Sequence, residues 1–152
     1  MKTLFTLILI TTVFNSLNAQ WYMAAEDGVG FKKVKFEEQE MNNNGELNSI
    51  KSTLQYGMFT IGTKVGYEFK PFVIEVDGKL SIDMSSGIGI YGGTILNLND
   101  ENSLLLTPLI GISLNHNFSA AARLQYKHFF LEANKTGNTT FYTVGVKCYV
   151  YE

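Results

Sequence analysis

The chain has 152 residues, 45% of them hydrophobic and 17% charged, with 14 glycines, two prolines, one cysteine and a formal net charge of −2. That length holds a single domain, the near-neutral charge offers no basic surface for nucleic acid, and the lone Cys148 excludes an internal disulfide. Many glycines and aromatics with few prolines make a strand-rich composition.

Met1-Lys2 is a short positive segment, Leu4 to Phe14 an apolar run, and Asn15 to Ala19 a polar stretch ending on a small residue. The run falls far short of the ~20 residues a spanning helix needs. Residues 1–19 therefore read as a secretory signal peptide cleaved before Gln20, and 20–152 as one exported domain. No cysteine follows the run, which argues against a lipid-modified lipoprotein. An exported domain without disulfides must be held by extensive sheet pairing or by a bilayer.

Trp21 to Glu26 and Val29 to Glu38 fit either two short strands around Asp27-Gly28 or one long irregular strand. Glu37 to Ser52 is polar, rich in asparagine and without a period, which predicts a loop. Alternation then becomes strict. From Gly57 to Lys70, Phe59, Ile61, Val65, Tyr67 and Phe69 alternate with Thr60, Lys64 and Glu68, and Lys70-Pro71 predicts a tight turn because proline cannot donate to a ladder. From Phe72 to Met84, Phe72, Ile74, Val76, Leu80, Ile82 and Met84 oppose Glu75, Asp77, Lys79, Ser81 and Asp83. That run is longer than the ~5–6 residues of an ordinary strand and long enough to cross a bilayer, which takes ~9–11. A helix there would bring Phe72, Glu75, Val76 and Lys79 onto one face and bury charge unpaired.

Gly87 to Leu98 sets Ile88, Ile90, Thr94, Leu96 and Leu98 against glycines and Tyr91. Ser103 to Asn117 alternates less cleanly, because Leu105 and Leu109 break the pattern, and Pro108 suggests a bulge. Phe118, Ala120, Ala122, Leu124, Tyr126 and Phe130 oppose Arg123, Gln125 and Lys127. Glu132 to Asn138 reads as a second loop. Thr139 to Tyr151 sets Tyr142, Val144, Val146, Cys148 and Val150 against Thr143, Gly145 and Lys147. Six clear strands and two weak ones make eight, an even number that lets both ends of the domain lie on one side.

These segments resemble the small eight-stranded outer-membrane β-barrel proteins of Gram-negative bacteria, the porin-like outer-membrane-protein β-barrel family. The resemblance is carried by the leader ending Ala19-Gln20, by the strand ends Val65-Gly66-Tyr67-Glu68-Phe69-Lys70-Pro71 and Leu124-Gln125-Tyr126-Lys127-His128-Phe129, by Leu106 to Asn115, and by Val144 to Tyr151. It covers nearly all of the exported part, through degenerate motifs. It implies an all-β, up-and-down antiparallel transmembrane barrel of about eight strands in the outer membrane, contacting outer-membrane lipids and the barrel assembly machinery. Members usually close on an aromatic residue that this machinery reads, whereas here Glu152 follows Tyr151.

With the apolar face toward lipid, the lumen would hold Lys64, Glu68, Glu75, Asp77, Lys79, Asp83, Arg123, Gln125, Lys127 and Lys147. Eight-stranded barrels have an interior barely wide enough for their own side chains, and near-balanced charge there predicts a structural ion-pair network in place of an open pore. Other candidate sites are weak. His116 and His128 have no partners at metal-ligand spacing, and His116-Asn117-Phe118-Ser119 has no acid placed beside it. Cys148 alternates with valines as a small apolar residue. Gly87 to Gly93 lacks the strand-to-helix context and lysine of a phosphate loop; its glycines fit crowding inside a narrow barrel. No enzyme activity, cofactor or metal is expected.

Trp21, Tyr22, Phe69, Phe72, Tyr126, Phe129 and Tyr149 cluster near proposed strand ends, as interfacial aromatic girdles do. Two readings remain open. One is a membrane barrel with a structural or surface-interaction role, its loops 37–52 and 132–138 reaching a surface ligand. The other is a soluble, lipocalin-like periplasmic or secreted barrel whose apolar face turns inward around a small hydrophobic ligand.

Overall fold

The computed structural model describes residues 19–41, 47–81, 86–101, 103–114 and 117–150. The leader expected at 1–19 therefore lies outside the described residues up to position 18, as do Asp83, His116 and the closing Tyr151-Glu152.

The described chain is all strand and turn: β1 (Ala19–Met41), β2 (Leu47–Phe69), β3 (Phe72–Ser81), β4 (Ser86–Thr94), β5 (Leu96–Asn97), β6 (Leu104–Ser113), β7 (Phe118–Tyr126), β8 (Phe129–Thr136) and β9 (Thr139–Val150). The pairings are antiparallel and follow the order β4-β3-β2-β1-β9-β8-β7-β6-β5, and β4 also pairs with β6, so the sheet closes into a ring. β4 and β5 share one register against β6, from Gly93↔Leu109 to Leu96↔Leu106, and behave as one stave interrupted at Ile95. The ring thus has eight staves, and the adjoining first and last strands leave no open edge.

The stagger follows from the register. From Gly93, the hydrogen-bonded row through Val73 and Glu68 reaches β1 at Gln20, and the row through Leu109, Ala121, Asn134 and Phe141 reaches it at Gly30. Ten residues at ~3.3 Å each, set against eight strand spacings of ~4.8 Å, tilt the strands by about 40°. Each row consequently climbs about 3 Å per strand around the ring.

Period two decides the two faces. On β3, Val73, Glu75, Asp77, Lys79 and Ser81 point inward and are buried, whereas Phe72, Ile74, Val76 and Leu80 point outward and are exposed. The same division holds on β1, where Trp21 and Met23 face out and Tyr22, Ala24 and Glu26 face in, and on β7, where Arg123 and Gln125 face in. The ring is inverted relative to a water-soluble domain, with charge inside and an apolar belt outside.

Several expectations change. Of the two readings open for the N-terminal region, the single long strand is found, 23 residues in length, and the loop expected over 37–52 is instead mostly its hairpin with β2, paired without a break from Ala19↔Phe69 to Met41↔Leu47. β9 accompanies β1 only as far as Lys32, and β3 accompanies β2 only from Thr60. Beyond those points the hairpin has no further strand partner among the described residues and forms a two-stranded ribbon about 30 Å long. Its polarity reverses: the outward register carries Lys33, Lys35, Glu37, Lys51 and Gln55, and the inward register carries Val34, Phe36, Ile50 and Leu54. Glu37 and Lys51 pair at 2.9 Å across the exposed face.

The loop expected over 132–138 is mainly β8, which turns only at Gly137-Asn138, where Gly137 has a φ of 55°. Phe130, expected on the apolar face of the preceding strand, belongs to β8 and points inward. The count of eight therefore stands on different segments, since the two weak N-terminal strands are one and β8 supplies the missing stave. Pro108 makes no bulge: the β6–β7 register runs unbroken from Leu104↔Tyr126 to Ile112↔Phe118, with Pro108 on the outside. Leu105 and Leu109, which disturb the alternation, are the inward residues of that strand.

Candidate functional site

The interior is filled by charge. Seven of the expected lumen residues, Lys64, Glu68, Glu75, Asp77, Lys79, Arg123 and Lys147, are buried there together with Gln125. Arg123 is the hinge of the arrangement. Its Nη1 and Nη2 donate to Glu75 at 2.8 and 2.6 Å, while its Nε and Nη2 donate to Glu132 at 2.9 and 2.6 Å. Two fork-like contacts of this kind fix the guanidinium plane across the ring.

Lys64 sits between Asp77 at 2.9 Å, Glu132 at 2.9 Å and Glu26 at 3.2 Å. Lys79 reaches Glu26 at 2.8 Å and also pairs with Asp77. Toward the end of the ring opposite the ribbon, Lys147 pairs with Glu68, donates a weaker hydrogen bond to the Gln125 amide oxygen at 3.3 Å, and lies over the Tyr22 ring at 3.8 Å. The Tyr22 hydroxyl donates to Glu75. Toward the ribbon end charge gives way to neutral polar groups: Thr143 donates to Glu26 at 2.9 Å, Asn134 to the Tyr91 hydroxyl at 3.0 Å, and Ser119 bonds Thr136 at 2.8 Å. Above them is a concavity of about 370 Å³, bordered by Lys79, Tyr91, Asn138 and Phe141.

Rings fit inside so small a lumen because glycines face them. A Cβ on Gly66 would lie 2.3 Å from Tyr22, and one on Gly145 would lie 2.3 Å from Phe130. Both glycines occupy the inward register, so the wall itself makes room for the large side chains.

Lys127 is a correction. It lies in the two-residue β7–β8 turn with a φ of 54°, is exposed, and sets its ammonium 5.5 Å from the Tyr126 ring. A strand ending at Tyr126 cannot carry the alternation one step further inward. Asp83 falls outside the described residues. Sequence reasoning missed Glu26 and Glu132, which complete the set of four buried cations and five buried carboxylates. Both stand in a period-two pattern: Tyr22, Ala24 and Glu26 alternate with Met23 and Ala25, and Phe130, Glu132 and Asn134 alternate with Leu131 and Ala133.

The remaining candidates are scattered. His128 is exposed in the β7–β8 turn, 3.2 Å from the Lys147 carbonyl, and Cys148 is exposed on the outer face of β9. Ser119 is buried against Thr136, far from any described histidine contact, and Gly87 to Gly93 are part of β4. No group of three or more metal-ligating side chains occurs among the described residues. The network can neutralise and cross-brace the ring. Compared with known protein families and with curated proteins, the chain matches none.

Proposed function

We propose that this chain is an integral β-barrel of the outer membrane of a Gram-negative bacterium, closed by its internal ion network, with a structural or surface-interaction role carried by the projecting ribbon. The observation that carries this reading is the outer belt. Ile61, Ile74, Ile90, Ile110, Leu131 and Val144 are all exposed, on six different staves. Water would penalise that much contiguous apolar surface, and hydrocarbon would not. The belt stops at the rim, where the ribbon reverses its polarity and puts lysines and Glu37 on the side that is apolar below. Trp21, Tyr67, Phe69 and Phe72 pack against one another near the opposite end, with ring centroids 4.9 to 6.2 Å apart, where an interfacial girdle belongs.

A lipocalin-like carrier needs an apolar interior, and this interior presents carboxylates, lysines and an arginine. The test is fractionation of cells expressing the full chain, followed by electrophoresis of washed membranes with and without boiling. The expected result is recovery in the outer membrane with a heat-dependent shift in mobility. Recovery in the soluble fraction without a shift refutes the proposal.

A further inference from the structure

The outer register of the ring is apolar or neutral with two exceptions. Among the described residues between the turns and the ribbon, Asp27 on β1 and Lys135 on β8 are the charged side chains that point outward. Asp27 stands in a row with Ile61 and Val144, between Ala25 and Val29 on its own strand. Neither residue has a side-chain hydrogen bond or ion pair among the described residues. A bare charge on a hydrocarbon-facing wall is costly, and an ionisable group at the depth of Asp27 marks a contact with a definite partner, whereas Lys135 lies two residues before the Gly137 turn, beside Lys33, Gln55 and Asn138, where a lysine is readily accommodated.

The two charges are placed in relation to each other. β1 and β8 are the strands flanking β9. Lys135 is in the row of Thr140 and Phe31, and Asp27 is four residues nearer the opposite end than Phe31. With rows climbing about 3 Å per strand from β8 to β1, Lys135 lies about 6 Å below Phe31, and Asp27 lies about 10 Å below it. The resulting difference of about 4 Å in depth is within the reach of a lysine stem.

We propose that the chain pairs with a second copy of itself through the outer wall of β8, β9 and β1, Asp27 of each copy meeting Lys135 of the other. A two-fold axis along the membrane normal, running beside β9, places β1 of one copy opposite β8 of the next and preserves the depth of every residue. An interface of this kind is self-complementary, so one anion and one cation flanking a common strand make two ion pairs. Apolar contact alone does not drive association within lipid, where tails are as apolar as leucine, so paired charges supply the specificity. The wall is also shaped for a neighbour: a concavity of about 670 Å³ runs from Asp27 past Val144 and Leu131 to Phe129 and Tyr126.

This inference rests on the membrane reading, and its test separates the two. In a Cys148→Ser background, Tyr142→Cys places a thiol on the outer face of β9, and Ile90→Cys places one on β4, at the far side of the ring. Washed membranes are treated with a short bis-maleimide and run on denaturing gels, with the unboiled heat-shifted band reporting folding. The expected result is a covalent homodimer with Tyr142→Cys and none with Ile90→Cys. That dimer band should be lost on adding Asp27→Lys or Lys135→Asp, reduced by Asp27→Asn, and restored by the double exchange Asp27→Lys with Lys135→Asp. Equal cross-linking at both positions, indifference to the exchanges, conjugation to a different protein, or no cross-link in folded membrane protein overturns the pairing while leaving the barrel intact. Recovery of the protein in the soluble fraction overturns both.

Discussion

Arg123→Leu is the sharpest test of the interior. The guanidinium gives two hydrogen bonds to Glu75 and two to Glu132. After its removal Glu132 retains Lys64 at 2.9 Å and Lys79 at 3.6 Å, so its charge stays compensated. Among the described residues Glu75 keeps the Tyr22 hydroxyl and a distant Lys64 at 3.9 Å. One buried carboxylate is left largely unmatched, which costs about 3–5 kcal/mol, or roughly two to four decades in the folding equilibrium. Replacing Glu75 by leucine as well removes the orphan, and the double variant should recover at least half of the loss. Lys51→Ala, which breaks an exposed pair on the ribbon, provides the reference and should cost less than about 1 kcal/mol. The assay is urea titration of the folded, heat-shifted fraction in vesicles of fixed composition. If Arg123→Leu falls within about 0.5 kcal/mol of Lys51→Ala, the network does not brace the ring and the reasoning fails.

Two further outcomes follow from local geometry. Gly145→Ala should lower the urea midpoint by the equivalent of about 1–3 kcal/mol, because its Cβ would strike Phe130 and the Ala25 carbonyl at 2.3 and 2.6 Å. Gly87→Ala meets nothing within 4 Å and should leave the midpoint unchanged or slightly raised; equal losses at the two sites would remove the steric account. Trypsin should cut first at Lys33, Lys35 or Lys51 on the exposed ribbon and spare Lys64, Lys79 and Arg123, as mass spectrometry of the fragments would report; early cleavage at Arg123 contradicts the buried assignment.

Strand content, the two-residue turn at Lys70-Pro71 and most of the inward charges were legible from period two alone, because a pleated strand sends alternate side chains to opposite faces whatever surrounds it. Glu75, Asp77 and Lys79 could be placed on one face without knowing which face was inside. The N-terminal hairpin resisted because its polarity inverts at the rim: Val34 and Phe36 occupy the register that Glu26 occupies lower down, so one strand reads as two discordant pieces. β8 resisted because Glu132 to Asn138 combines asparagine, lysine, threonine and glycine, the vocabulary of turns, although only Gly137-Asn138 turns. Lys127 went wrong by a single residue, since alternation carries no marker for where a strand stops. The pairing of Arg123 with both Glu75 and Glu132 depends on which staves face one another across the ring, which is a property of closure and stagger and not of any local segment.

The junction between β1 and β9 bears on the order of folding. Trp21 pairs with Val150, and Thr143 reaches Glu26 across 117 positions of chain, so the earliest strand waits for the latest before its lateral bonds are made. Until that seam shuts, Lys147 has not met Glu68, and Glu26 has not received its hydroxyl. A chain truncated before β9 would leave Glu68 without its lysine, Glu26 without its hydroxyl though still paired with Lys64 and Lys79, and an open strand edge at β1. Completion of the last strand is thereby coupled to neutralisation of the interior, and an unfinished copy carries its own electrostatic mark of being unfinished.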